Sequence, residues 1–375
     1  MTTPCVDVEH HSPLPPILIL TAGGLENGGG IGRMVGYLID EWRRDTTSPS
    51  FEILDTRGAG PVRLWPAHLL TVLWRLARNR RYRPLAYIHV AGRGSSLRKI
   101  FVTAFCRILQ IPVLLHLHDY DYASFCRSLP APLLGPVRWM FQAADHVVVL
   151  GQDARSTVTE LLAVPAERVS ILPNAVPVPA RASVHSVTAP VEILFLGQLS
   201  RRKGVHDLIE ALDQPALRGL DWHATIAGGG PQQDGFAADL ARTGIADRVE
   251  MPGWVDRATT ECLLRAADIL VLPSYAEGMA MSVLEGMAHG LCIICTPVGA
   301  LGEVIQPDRS GMLVEPGNLV SLTDALARSV ADTGLRTRLG GAAAAQFRRD
   351  FAANDYPGRL LPIIERALAR RLTLT

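Results

Sequence analysis

The sequence predicts an α/β protein built from two doubly wound domains. Three observations predict it. Twelve short aliphatic and β-branched runs punctuate the chain, amphipathic stretches separate them, and a Pro-, Ala- and Ser-rich segment divides them into two sets of six. Continuous rather than alternating apolar runs belong to parallel strands covered on both faces by crossover helices. In the first half the strands read at PILIL, FEILD, AYIHV, PVLLHLH, HVVVL and RVSIL. In the second they read at VEILFLG, HATIAG, RVEMPG, DILVLPS, CIICT and GMLV. Between them, LPNAVPVPARASVHSVTAPVE predicts an interdomain linker over 179–190. The domains expected are 1–178 and 191–352, with 353–375 a C-terminal helix crossing back to the first. Ligands of such domains bind at the carboxyl ends of the strands, here in a cleft between facing domains.

At 375 residues the chain can bury two ordinary cores. Its 48% apolar content and net charge of +1 exclude a disordered chain. No apolar run reaches the ~20 residues of a bilayer span. The opening MTTPCVDVEHHSPLPP has no basic stretch before an apolar one, so it is not read as a secretory signal. Six scattered cysteines predict a reducing, cytoplasmic setting. Cys292 and Cys295 form a CxxC, but the apolar run LCIICTPVG and the lack of a second ligand pair make them core thiols. Charge is uneven: from Thr56 to His118 there are eleven Arg or Lys and no acid. That predicts an anionic partner for the first half.

In the second half, DILVLPS is a strand, YAEGMA its C-terminal loop, and MSVLEGMAH a helix that Gly290 caps. Free N–H groups from Met279 to Ser282 make an anion site. Glu277 and Glu285 flank that site, eight positions apart. Carboxylates beside a bound phosphate would repel it, so both are expected to accept hydrogen bonds from hydroxyls. A diphosphate flanked by two polyols is the layout of a nucleotide sugar. Upstream, FLGQLSRRKGVHDLIEAL places Arg201, Arg202 and Lys203 after another strand, where cations can clamp the same diphosphate. Alone this would be a solvated basic loop. IAGGGPQQDGF and MPGWVD complete a set of four strand ends.

The ensemble LGQLSRRKG, IAGGGP, RVEMPGWV, AADILVLPSYAEGMAMSVLEGMAHGLCIICTPVGALGEVI and GMLVEPGN resembles the donor half of the retaining family 4 glycosyltransferases. It spans roughly 191–326, and the N-terminal half is more weakly similar. The resemblance implies the GT-B fold: two Rossmann-like domains facing a cleft, the first binding acceptor and the second nucleotide-sugar donor. It implies that Glu285 accepts the ribose hydroxyls and that Glu277 contacts the transferred sugar. It implies that the N–H groups of Gly278, Met279, Ala280 and Met281 hold sugar hydroxyls and the diphosphate. Arg202 and Lys203 would neutralise the leaving phosphate, and the backbone at Gly253 and Trp254 would read the base. Two positions depart from the family: Gln198 stands where Arg is frequent, and Ala280 replaces a frequent proline.

In the first half, ILILTAGGLENGGGIGRMVGYLID runs from a strand into a helix through five glycines. No G-x-G-x-x-G occurs, although Asp55 ends the second strand where a ribose acid would sit. Either this is a plain tight turn, or, as the resemblance implies, Gly29 or Gly30 lets the backbone approach the donor phosphate. VLLHLHDYDY ends the fourth strand with His116 and His118 on one face, then Asp119 and Asp121. The resemblance assigns His118 to the transferred sugar. Asp119-Tyr-Asp121 imitates the Asp-x-Asp metal motif of GT-A transferases, but acceptor-hydroxyl contacts fit the two-domain organisation better. HVAGRGSSLRK offers Arg93, Arg98 and Lys99 in a predicted loop, suited to acceptor phosphates. VRLWPAHLLTVLWRLARNRRYRP is helical, with Trp65, Leu69, Leu73 and Leu76 apolar and Arg75, Arg78, Arg80, Arg81 and Arg83 clustered late. A core-facing helix with a basic end is the ordinary reading. Adsorption to an anionic membrane also fits, whereas no nucleic-acid module is recognisable.

The expectation is a cytoplasmic, metal-independent retaining hexosyltransferase, peripheral on the inner membrane face and without a cofactor. It would transfer sugar from a nucleoside diphosphate sugar to a saccharide acceptor, lipid-linked, in cell-surface or exopolysaccharide synthesis. The alternatives are an NAD-dependent oxidoreductase and a non-catalytic sugar-nucleotide-binding subunit.

Overall fold

The structure, a computed structural model, describes residues 14–25, 29–45, 48–58, 65–180 and 190–373. The chain divides into two compact units, Met1–Pro173 with Ala353–Thr375, and Asn174–Ala352. Most of the expected linker, 181–189, lies outside the described residues. The division falls a few residues before the expected domain end because Asn174 and Val176 are tied to the second unit. Asn174 Nδ2 donates to the carbonyl of Met279 at 3.3 Å, and the Val176 N–H donates to Phe351 at 3.1 Å.

Each unit is built on six parallel strands. The first contains β1 (Ile17–Thr21), β2 (Phe51–Asp55), β3 (Leu85–Val90), β4 (Val113–Leu117), β5 (His146–Val149) and β6 (Val169–Ile171), in the order β2-β1-β3-β4-β5-β6. The second contains β7 (Val191–Leu196), β8 (Trp222–Ala227), β9 (Val249–Gly253), β10 (Ile269–Leu272), β11 (Cys292–Cys295) and β12 (Met312–Leu313), in the order β12-β11-β10-β7-β8-β9. The central strands are buried along their whole length, as continuous apolar runs require. Both sheets are Rossmann-like. Strand order reverses between β1 and β3 in one and between β7 and β10 in the other. Loops leaving those pairs diverge to opposite faces and leave a crevice at the carboxyl ends. The C-terminal helix Tyr356–Thr373 packs on β4, β5 and the helix Gly30–Arg44, all within the first unit.

The helix Met281–Ala288 is buried from Met281 to Met287 and lies directly on β10 and β11. Glycine at 286 permits this: a Cβ there would meet Ile293 and Leu270 side chains at 2.9 Å. The helix ends as its sequence predicts. Gly290 turns left-handed at φ 73°, its N–H reaches Met287 at 3.1 Å, and the Leu291 N–H reaches Gly286 at 3.0 Å.

The helix Thr333–Asp350 crosses this turn so closely that a Cβ on Gly340 would stand 2.0 Å from the Gly290 carbonyl oxygen, whereas one on Gly341 meets nothing within 4 Å. Helix propensity alone favours alanine over glycine by about 1 kcal/mol at both positions. Gly341→Ala is therefore expected to hold or raise the thermal midpoint. Gly340→Ala should lower it, at a cost of about 1–3 kcal/mol from overpacking. Paired melting curves followed by circular dichroism check both.

Candidate active site

At the strand reversal of the second unit, the loop after β7 lies against the loop after β10. The Tyr275 N–H donates to the Arg202 carbonyl at 2.8 Å. Arg201–Lys203 forms a single 3-10 turn that ends at Gly204, φ 69°. A side chain at Gly204 would collide with the backbone of Pro273, at 2.1 Å from its carbonyl oxygen. This contact delivers the cations to the carboxylate. Lys203 Nζ lies 2.6 Å from Glu277 Oε1, and the Arg202 guanidinium lies 3.6 Å from the same oxygen while donating to the Ala276 carbonyl at 2.6 Å. The Ser274 hydroxyl donates to Oε1 at 2.7 Å, and Thr296 holds the Ser274 carbonyl in turn at 2.6 Å. Two donors, Lys203 and Ser274, thus fix the Glu277 carboxylate through one oxygen, with the Arg202 charge beside them.

Gly278, Met279 and Ala280 lead from this acid into the helix, with Ala280 extended at the N-cap and Met281 as the first helical residue. The loop is braced on both sides. The Ala300 N–H donates to Gly278 at 2.9 Å, and Asn174 holds Met279. Glu285 sits on the second turn of the helix, 6% exposed. Arg201 is exposed, and its N–H donates to the Gln232 side chain at 2.9 Å. Gly253 closes β9 at φ 76°, and its carbonyl accepts from the Gly228 N–H at 2.8 Å. Trp254 follows with 76% of its surface exposed. Gln198, on the loop after β7, is exposed. Cys292 and Cys295 are buried in β11, and burial pushes their thiols up to about 11 and about 12. They are inert core residues.

In the first unit the acids brace loops. Asp55 Oδ1 accepts from the Gly23 and Arg57 N–H groups, each at 2.8 Å, which pins the glycine loop after β1. Asp119 accepts from the Gly92 N–H through one oxygen and from the Asp121 N–H at 2.7 Å through the other. That ties the loops after β3 and β4 together, so Asp119 is an internal brace rather than an open acceptor contact. Asp121 is exposed before the helix Tyr122–Ser128. Gly29 is the exposed N-cap of the helix Gly30–Arg44, and Gly30 its exposed first residue.

The predicted basic loop is corrected. Arg98 and Lys99 lie within the helix Gly94–Ile108, which begins after an exposed Arg93 at φ 53°. Lys99 turns inward, is 0% exposed, and donates to Thr56 Oγ1 at 2.6 Å and to the Leu20 carbonyl at 3.4 Å. Burial, then the neighbouring Arg98, lowers its pKa well below the usual lysine value. Lys99 is thus a strand-end brace, and Arg98 is also buried. Only Arg93 of the three presents its charge to solvent.

His118 follows β4 within a group that the sequence reading did not assemble. His89 pairs in register with His116, and the His89 Nδ1 lies 2.8 Å from His118 Nε2. Tyr87 OH lies 2.8 Å from His116 Nδ1. Burial pushes His118 down to about 3 and lowers His89 and His116 well below the usual histidine value, so all three imidazoles are neutral at pH 7. The available signal was the histidine inside AYIHV, one strand over from VLLHLH. Nothing local pointed to Asn174, which meets Met279 across 105 positions.

Residues 28–178 match the family described as Glycosyltransferase Family 4, and residues 190–332 match Glycosyl transferases group 1. The glycogen synthase of Mycobacterium tuberculosis is 28% identical over 253 residues, 62% of this chain and 61% of its own length, so the match spans less than two thirds of that relative. The alpha-D-kanosaminyltransferase of Streptomyces kanamyceticus is 26% identical over 293 residues, 73% of this chain and 76% of its own. Among solved structures, sucrose-phosphate synthase from Thermosynechococcus elongatus superposes with a TM-score of 0.79 at 18% identity, covering 95% of this chain and 99% of the other. Anabaena HepE in complex with UDP and glucose gives 0.74 at 18% identity, covering 94% and 99%. At that identity the structures speak for the fold, which is GT-B. With family matches over both units and glycosyltransferases among its sequence relatives, the chain belongs to glycosyltransferase family 4.

Proposed function

We propose that the chain is a retaining glycosyltransferase that moves a sugar from a nucleoside diphosphate sugar to a lipid-linked saccharide, in the assembly of cell-surface or exported polysaccharide. One observation carries this reading: Arg202, Lys203, Glu277 and the helix bearing Glu285 converge at the strand reversal of the second unit. Two cations and the first N–H groups of a helix form a binding place for a diphosphate. The acids on either side of it serve hydroxyls, Glu285 those of the ribose and Glu277 those of the transferred sugar. HepE, solved with UDP-glucose, supports the donor class.

In the reaction, the bond between the anomeric carbon and the diphosphate oxygen breaks. Arg202, Lys203 and the helix N–H groups take up the charge that develops on the leaving phosphate. The acceptor hydroxyl attacks from the same face and gives its proton to the departing phosphate oxygen. His118 contacts the sugar as a neutral group, with its Nε2 already engaged by His89. The protein's cations fill the place of a divalent ion, so the chemistry is metal-independent.

The acceptor's lipid brings the first unit to a membrane. The helices Trp65–Asn79 and Gly94–Ile108 touch, and they expose Leu70 and Trp74 on one and Leu97, Phe101 and Ile108 on the other. Trp65 packs against the core, so Trp74 is the interfacial tryptophan. Arg75 and Arg78 stack over its ring at 5.7 and 5.4 Å, and Arg78, Arg80 and Arg81 are exposed beside it. No helix among the described residues is long and apolar enough to cross a membrane. Adsorption through basic and apolar side chains is the alternative this surface supplies.

Glu285→Ala is expected to weaken nucleotide binding, and Glu277→Ala chiefly to lower turnover. Each loses hydrogen bonds to a charged acceptor worth roughly 1.5–3 kcal/mol, or about 10- to 150-fold. Calorimetric titration with UDP, GDP and ADP, beside steady-state rates, separates the two, and wild-type behaviour of both would sink the site assignment. Turnover should survive excess EDTA; a loss restored by magnesium or manganese would return the reaction to a divalent ion. Charge reversal at Arg78, Arg80 and Arg81 together should abolish sedimentation with anionic vesicles at low salt and spare turnover on a soluble acceptor. Each basic residue near such a surface is worth about 1 kcal/mol. Unchanged sedimentation would leave that face as ordinary solvated surface.

A further inference from the structure

Two buried ring nitrogens near the ends of β3 and β4 lack a hydrogen-bond partner among the described residues. They are His89 Nε2 and His116 Nε2. Both side chains are essentially fully buried, and they stand side by side across β3 and β4. His118 completes the group, its ring centroid 4.0 Å from that of His116 and 5.1 Å from that of His89. One nitrogen from each of the three lies within 4.8 Å of the others. No carboxylate or thiol enters the set. A buried polar atom without a partner is unfavourable, and a metal ion is one partner that a ring nitrogen such as His116 Nε2 can take.

We propose that His89, His116 and His118 form a three-imidazole site for a borderline transition-metal cation of the zinc class, and that the ion, when bound, withdraws His118 from the sugar donor. Zinc takes three imidazoles at about 2.0–2.1 Å and completes a tetrahedron with water. An all-nitrogen set selects zinc, cobalt, nickel or copper over magnesium and calcium, which require oxygen ligands. Neutral rings are the ligating form, and burial keeps all three neutral. A second contact is also in place: Tyr87 OH holds His116 Nδ1 at 2.8 Å, which leaves Nε2 to ligate. The hydrogen bond between His89 and His118 marks where the ion inserts. The ion replaces the proton shared by these nitrogens, which moves to the distal nitrogen of the donating ring, so no net proton is required. The inhibitory half rests on the donor reading above; the binding half does not.

The test uses the full chain, freed of metal and titrated with cobalt(II). The expected result is one ion per chain, with the intense visible bands of tetrahedral cobalt. X-ray absorption of the zinc form should then show nitrogen and oxygen neighbours with imidazole scattering. His89→Gln and His116→Gln should each weaken binding at least tenfold, with circular dichroism confirming that the variants fold. Tyr87→Phe, which keeps all three ligands, should weaken it about tenfold by freeing the His116 ring. Zinc should inhibit wild-type turnover reversibly by EDTA, and inhibit the two histidine variants less, each against its own zinc-free rate. An octahedral cobalt spectrum, sulfur neighbours pointing to the exposed Cys262, or equal affinity in the histidine variants would overturn the site. Tight binding with unaffected turnover would overturn the inhibition and leave the site. A chain that turns over no donor still gives a decisive cobalt spectrum.

Discussion

The candidate site depends on how closely two loops of the second unit can approach. β7 and β10 are neighbours only because the strand order reverses between them, and their outgoing loops meet at backbone distance. Gly204 is what allows it, since any side chain there would occupy the space of the Pro273 carbonyl. A second glycine acts on the opposite side: a Cβ on Gly299 would lie 1.9 Å from the Glu277 carbonyl oxygen. The loop is therefore held at Pro273 by Gly204 and at Glu277 by Gly299. Lys203 meets the acid because the main chain leaves neither residue elsewhere to go.

The first unit reaches a comparable rigidity by other means. Where the second unit braces its crevice with backbone-to-backbone contact, the first uses carboxylates. Asp55 collects two N–H groups around the loop after β1, and Asp119 links the loops after β3 and β4. Both acids follow strands and so sit where a ligand-binding acid would be expected. Backbone donors engage one oxygen of Asp55 and both oxygens of Asp119, which gives each acid a structural role. Lys99 completes the bracing from beneath, joining the ends of β1 and β2 through Leu20 and Thr56.

How much of this was legible depended on whether the deciding contact was local. All twelve strands were readable, the central ones because a strand buried on both faces declares itself by an unbroken apolar run. The turn at Gly290 was readable for the same reason, each of its bonds spanning a few residues. In the second unit the chemistry-bearing residues lie close together in two short loops, and family resemblance supplied their roles. In the first unit direction mattered more than position. Arg98 and Lys99 are adjacent, but on a helix adjacent residues point about 100° apart. No pattern in GSSLRK says which one turns inward. The histidine group likewise requires the register of β3 against β4, and a one-residue slip would place His89 on the other face.

The pairing of Glu277 with Lys203 invites an electrostatic objection: a carboxylate that neutralises the cation ought to weaken its hold on a phosphate. Magnitudes argue the other way. Both side chains are largely buried, at 8% and 12% exposure, and an unpaired ammonium in such a place would be strongly disfavoured. The carboxylate is what holds the lysine in place there. Lys203 and Ser274 both donate to Oε1, with Arg202 3.6 Å from it, and Oε2 receives no hydrogen bond from the described residues. Under the proposed function, the acid serves the cations with one oxygen and has the other left for a sugar hydroxyl. On the proposed reading, Arg202 and the helix N–H groups remain available to an arriving diphosphate. On that reading, charges fixed before the donor arrives need no reorganisation when its bond to the diphosphate breaks, and that is the condition under which they stabilise a transition state rather than a bound substrate.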